Sequence, residues 1–124
     1  MSDRAWVPPG WPAQVPPPDA PGWESRASGW LFDQCPADLR AHDVLKRHPV
    51  VLAYVAVGQV DAALTALGSS LASIRSDLRD ELSPAALSET VAALGREQAT
   101  LEATGRSVRL VAQALRGVRH RPRL

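Results

Sequence analysis

The chain has 124 residues, a formal net charge of +1 and 22% charged residues. That length fits one domain, and the charge gives no overall field committing it to nucleic acid or to a membrane surface. Cys35 is the single cysteine, which excludes an internal disulfide and a secreted disulfide scaffold. The charge is unevenly spread: residues 1–45 carry three Arg against six acids, residues 46–124 carry eleven cations against seven acids, and six Arg follow Glu102.

Seven of the eleven prolines fall within residues 1–22: Pro8, Pro9, Pro12, Pro16, Pro17, Pro18 and Pro21. Proline fixes φ and lacks an N–H, so this stretch is expected to be irregular or polyproline II rather than helix. Trp6, Trp11 and Trp23 are interleaved with the prolines. In one reading the rings dock on the protein's own helices, with the prolines lowering the entropy lost on ordering. In the other the segment is an exposed ligand for a grooved partner, through Pro9-x-x-Pro12 and Pro18-x-x-Pro21. Exposed Trp is uncommon on a monomer, which favours self-docking. The start lacks the basic region and unbroken apolar run of a signal peptide, so a cytoplasmic location is expected.

Glu24 to Gln34 reads as a short helix carrying Trp30, Leu31 and Phe32. Pro36, with Asp38 beside the positive end of the dipole, suits the first turn of a second short helix that runs to about Arg47. Leu39, Val44 and Leu45 would face inward from it. Pro49 ends that helix, because the residue before proline is pushed from helical angles.

From Val50 onward, Val50, Ala53, Val57, Val60, Leu64, Leu67, Leu71, Ile74 and Leu78 recur at alternating spacings of three and four. That repeat marks a long helix packed along a partner. It should end near Leu82, where Ser83-Pro84 forms a capping signal. A second stripe follows, through Leu87, Val91, Leu94, Leu101, Val108, Ala112 and Leu115, and Gly117 suits its C-terminus. A tight connection makes the two helices antiparallel neighbours. The predicted fold is therefore all-α, a long coiled-coil-like antiparallel αα-hairpin with a Trp/Pro-rich strap and one or two short helices. The chain divides into a Pro/Trp-rich extended segment over 1–29, short helices over 30–49, the hairpin over 50–117 with its turn near Ser83, and a basic tail over 118–124.

Folding about Ser83 places Leu71 near Leu94, Leu64 near Leu101, Val57 near Val108, and Gln98 opposite Gly68. Glu89 should approach Arg75 and Arg79, and Glu102 should pair with Arg106. The open end is overloaded with apolar residues, notably Val51, Tyr54, Val55, Leu110 and Val111, so the strap is expected to cover it. A dimer meeting there is the competing solution. The most apolar window, Val50 to Val57, is short and is followed by Gln59 and Asp61. A bilayer span needs about 20 apolar residues, and no membrane association is expected.

Nothing assembles an active site. Cys35, His42, His48 and His120 match no standard zinc spacing, and the helix-borne Ser69, Ser70, Ser73 and Ser76 lack an activating histidine. No enzyme activity, metal or cofactor is expected. Two basic clusters remain: Lys46, Arg47 and His48 before the long helix, and Arg116, Arg119, His120, Arg121 and Arg123 closing the sequence. They complement helix C-termini, or they meet an acidic partner, of which nucleic acid is one instance. The candidate interaction residues are Lys46, Arg47, Arg116, Arg119, Arg121 and Arg123, with Trp6, Trp11 and Trp23. The expected role is a small helical protein-interaction or scaffold module, monomeric or homodimeric, with an unidentified protein partner. The alternatives are a weak accessory nucleic-acid binder and a non-catalytic subunit of an enzyme complex.

The runs Gly29-Trp30-Leu31-Phe32-Asp33-Gln34-Cys35-Pro36-Ala37-Asp38-Leu39-Arg40 and Arg47-His48-Pro49-Val50-Val51-Leu52-Ala53 resemble those of a group of short uncharacterised actinobacterial proteins. The resemblance implies the same Trp/Pro-rich start, two long helices and basic ending. It carries no activity, substrate or site.

Overall fold

A computed structural model describes residues 6–117. All regular structure among them is helical: α1 Trp23–Asp33, a 3₁₀ turn Ala37–Ala41, α2 Asp43–Arg47, α3 Pro49–Asp77 and α4 Pro84–Leu115. The Pro-rich segment is a chain of turns rather than an extended strap. Trp11 N–H donates to the Pro8 carbonyl at 3.0 Å, Val15 to Pro12 at 3.2 Å, Ala20 to Pro17 at 3.1 Å and Trp23 to Ala20 at 3.1 Å. Gly10, Asp19 and Gly22 take φ of 93°, 73° and 75° at the third positions of three of these turns, each just after a proline. That is the backbone a type II turn requires, and it explains the Pro-Pro-Gly, Pro-Pro-Asp and Pro-Gly runs.

The last of these turns opens directly into α1, so helix begins at Trp23 and the expected boundary at residue 29 lies inside it. α1 buries Trp23, Ala27, Leu31 and Phe32 on one face. The single short helix expected up to Arg47 is two pieces, because His42 adopts extended angles (φ −96°, ψ 103°) between the 3₁₀ turn and α2. Arg40 fastens the 3₁₀ turn to α1, reaching Asp33 at 2.6 Å with its guanidinium 5.4 Å from the Phe32 ring centre. Leu45 is buried as expected, but Val44 points outward at 47% exposure; the five residues of α2 have room for one inward face only.

α3 starts with Pro49 in its first turn and buries Leu52, Ala53, Ala56 and Val60. α4 starts as the sequence predicts, with the Ser83 hydroxyl oxygen accepting from Ala86 N–H at 3.1 Å and Pro84 in the first turn. It closes on Arg116, followed by Gly117 at φ 89°, the left-handed conformation that lets a helix end. α3 stops at Asp77, five residues short of the expected end, and the turn runs from Leu78 to Ser83. Leu78 and Leu82, on either side of that turn, are each 37% exposed.

α3 and α4 pack closely on each other. A Cβ added to Gly105 would stand 3.4 Å from Val60 Cγ1, and one on Gly68 would stand 4.0 Å from Gln98 Nε2. Gln98 thus meets Gly68 as predicted. The ion pairs between described residues are Arg40–Asp33, Lys46–Asp43 and Arg109–Asp61; the expected Glu89 and Glu102 pairs are not among them.

Burial is graded along the two helices. Toward the strap, Leu52, Ala56, Val108 and Val111 have exposures of 0%. Toward the turn, Leu64, Leu67, Leu71, Ile74, Leu94 and Leu101 are only half-buried, and Leu87 alone is buried on α4. Two helices cover one side of a seam; the third layer, α1 and the Pro-rich turns, exists at one end only. α3 is also long and apolar enough to cross a membrane by length and composition, with a mean hydropathy of 1.8 over its best window. Its many Ala and Leu residues outweigh Gln59 and Asp61.

Candidate functional site

The N-terminal turns settle on the open end of the helix pair. Trp11 Nε1–H donates to the Val15 carbonyl at 2.9 Å, and the Trp11 ring centre lies 6.3 Å from that of Trp23. Ser107 Oγ–H, from α4, donates to the Gly10 carbonyl at 2.6 Å, and a Cβ on Gly10 would stand 3.4 Å from Leu110 Cδ1. Val15, Trp23, Leu31 and Phe32 join Leu52, Val108 and Val111 in one apolar core, with Trp11 and Trp30 packed at its edge. Trp23 is 5% exposed. Trp23 is therefore a core residue and Trp11 is held against it, so neither offers a free ring to a partner. Trp6 stays 42% exposed.

The cover lies on one side of α3 only. Leu52 and Ala56 face it, whereas Val50, Val51 and Tyr54, one helical turn round, are 38%, 45% and 72% exposed. The expectation that the strap would cover Val51 and Tyr54 fails for this reason: the helix is apolar nearly all round at this end, and α1 and the turns occupy a single flank. Val50, Tyr54 and Val57 of α3 and Ala112 of α4 instead form the apolar lining of an open groove of about 240 Å³. Arg109, Gln113 and Arg116 complete its wall.

The groove's electrostatics are one-sided. Arg109 Nη2 reaches both carboxylate oxygens of Asp61, at 2.8 and 2.7 Å. The pair is half-exposed, and such surface pairs contribute under about 1 kcal/mol. Arg116 makes no ion pair with any described residue. Residues 44–60 and 103–117 together hold Lys46, Arg47, Arg106, Arg109 and Arg116 and not one acid.

Of the other predicted basic residues, Lys46 lies 3.8 Å from Asp43 and borders a separate hollow with Phe32 and Pro49. Arg47 is exposed at the end of α2. Arg119, Arg121 and Arg123 lie outside the described residues. Among the described members of the two basic clusters, Arg116 lines this groove and Lys46 borders the other hollow. Tyr54, expected under cover, is the most exposed large apolar side chain among the described residues. Its signal in the sequence was the spacing Val50-Tyr54-Val57-Asp61, a face turned between α4 and solvent.

Two of the serines on α3 bond back to their own helix. Ser73 Oγ donates to the Ser69 carbonyl at 3.1 Å and Ser76 Oγ to the Ser73 carbonyl at 3.0 Å. Burial pushes the Cys35 thiol above its ordinary pKa, against a smaller opposing pull from Arg40, so it is a poor nucleophile at neutral pH. His42 and His48 are exposed, and no group of three metal-ligating side chains forms among the described residues. Comparison with known protein families, curated proteins and solved structures finds no match to this chain.

Proposed function

We propose that the protein is a small interaction module: an antiparallel helical hairpin, packed in coiled-coil fashion, that binds another protein through the open end of α3 and α4. The observation that carries this reading is Tyr54, 72% exposed among Val50 and Val51 beside an apolar groove. Contiguous exposed apolar side chains on a folded surface are the usual mark of a contact site, and aromatic residues dominate such contacts energetically. The falling and rising pairs, Val60 with Gly105 and Gly68 with Gln98, support the antiparallel arrangement. No catalytic role is assigned; the protein acts by position, as a scaffold or as a non-catalytic subunit, and works as a soluble cytoplasmic component with α3 packed against its own chain.

Affinity capture from the native host tests this, comparing the wild-type chain with Val51→Asp and Tyr54→Glu. A partner retained by the wild type and lost with both variants, each folded by circular dichroism, is the expected result. A capture profile unchanged by both substitutions contradicts the reading.

A second reading, accessory nucleic-acid binding, draws support from the five cations without an acid in residues 44–60 and 103–117. It predicts weak binding to duplex DNA or RNA that falls steeply with salt, because phosphate neutralisation releases counterions. A fluorescence titration at low salt that finds no binding removes it. The apolar lining beside those cations favours a protein.

A further inference from the structure

Resting on the interaction reading, we propose that the groove between α3 and α4 receives an acidic amphipathic helix from a partner protein. Three observations combine. The groove runs along two helices, lined by Val50, Tyr54, Val57 and Ala112, and a third helix is the element whose apolar ridge fills such a trough. From Val50 to Val57 is two turns, about 10 Å, so the guest presents apolar anchors at i, i+3 or i+4, and i+7 over the same length. Those anchors pack on the valines and against the Tyr54 ring.

The charge of the guest follows from the rim. Arg116 has no ion-pair partner among the described residues. Asp61, the one carboxylate nearby, already holds Arg109 through both oxygens. The residues that line the groove include two arginines, Arg109 and Arg116, and no carboxylate. A carboxylate placed one helical turn from the guest's apolar ridge meets Arg116 in a partly desolvated setting, where charge-assisted hydrogen bonds are strongest. A second copy of this chain fits less well, since an isologous contact through this patch sets a basic rim against a basic rim. Nucleic acid has no apolar ridge to fill the trough, and an anionic lipid surface has none of helical shape.

The experiment uses the full chain and a synthetic amphipathic helical peptide with Leu at the anchor spacing and Glu on both flanks. Matched peptides carry Gln or Lys in place of every Glu, and binding is followed by fluorescence anisotropy at low and at physiological salt. The expected result is that the Glu peptide binds at least about tenfold more tightly than the Gln peptide, that the Lys peptide does not bind, and that added salt narrows the difference. Arg116→Glu should remove the Glu peptide's advantage over the Gln peptide, so that the ratio of the two affinities falls to about one. Tyr54→Glu should weaken both.

Equal binding of Glu and Gln peptides, unaffected by Arg116→Glu, overturns the acidic class while leaving the interaction reading intact. No binding by any peptide overturns the helix-in-groove proposal. In that case, Tyr54-dependent dimerisation in sedimentation assigns the patch to a second copy. Binding to phosphatidylserine vesicles or duplex DNA that the Glu peptide cannot displace gives the rim to that ligand and also overturns the proposal. Only loss of every Tyr54-dependent association, including capture from the host, takes the interaction reading down as well.

Discussion

Replacing Leu52 by Ala truncates a side chain of 0% exposure at the point where α3 meets both α1 and α4. Nothing there can close over the void without moving a third layer, so the transfer term and the cavity term both apply. Buried leucines in such positions cost about 3–4 kcal/mol on truncation, against total stabilities of about 5–15 kcal/mol for a domain. The same substitution at Leu71 differs in kind. Leu71 is half-buried, in the part of α3 that lies beyond the third layer. Water reaches the vacated space, no sealed cavity forms, and the loss is the partial transfer term, about 1 kcal/mol. Helix propensities of Leu and Ala nearly cancel at both sites. Urea denaturation followed by Trp fluorescence, with Trp23 buried in the same core, should therefore separate the two variants by about 2 kcal/mol. Equal costs, or a larger one at Leu71, would refute the claim that the strap end is the stability core.

Other consequences follow from single contacts. Ser83→Ala removes the acceptor for Ala86 N–H and should destabilise the protein by about 1 kcal/mol, measurable as a lower urea midpoint at constant m-value. A Cβ on Gly95 meets nothing within 4 Å, so Gly95→Ala should stabilise the helix by about 0.5–1 kcal/mol and raise Tm. The raised pKa of Cys35 means that thiolate forms at higher pH in the folded chain than in the unfolded one. Iodoacetamide alkylation should accordingly show its rise at higher pH in buffer than in urea, and stability should begin to fall as pH passes the unfolded thiol's value. Coincident alkylation profiles would contradict the burial of that thiol.

Much of the architecture was legible because it is written in local chemistry. Ser83-Pro84 and Gly117 mark where α4 begins and ends through capping and left-handed backbone, properties of those residues alone. The opposition of Gln98 and Gly68 follows from counting about one turn. The Pro-Gly and Pro-Pro-Asp runs also announced turns, yet the density of proline read more readily as extension. What could not be read was which flank of an all-apolar helix end the strap would take. Leu52, Val51 and Tyr54 are equally apolar in pattern, and only packing of Trp23, Leu31 and Phe32 against Leu52 and Ala56 leaves Tyr54 open. The stop of α3 at Asp77 was missed for another reason: the apolar repeat itself ends at Leu78, and Ser83-Pro84 marks where α4 begins, not where α3 ends. For the candidate site, the basic residues were visible but the separation of Lys46 from Arg116 onto two hollows was not, because charge in sequence says nothing of the face it ends on.

Tyr54 is the chain's single tyrosine, which gives its exposure a direct readout. Treatment of the isolated protein with tetranitromethane, followed by mass spectrometry, counts modification at that one ring. At 72% exposure it should nitrate at close to the rate of a free tyrosine, and the rate should drop sharply once the captured partner is bound. A Tyr54 that resists nitration in the isolated, dilute protein would mean that the chain covers this face itself, and the docking surface would not exist.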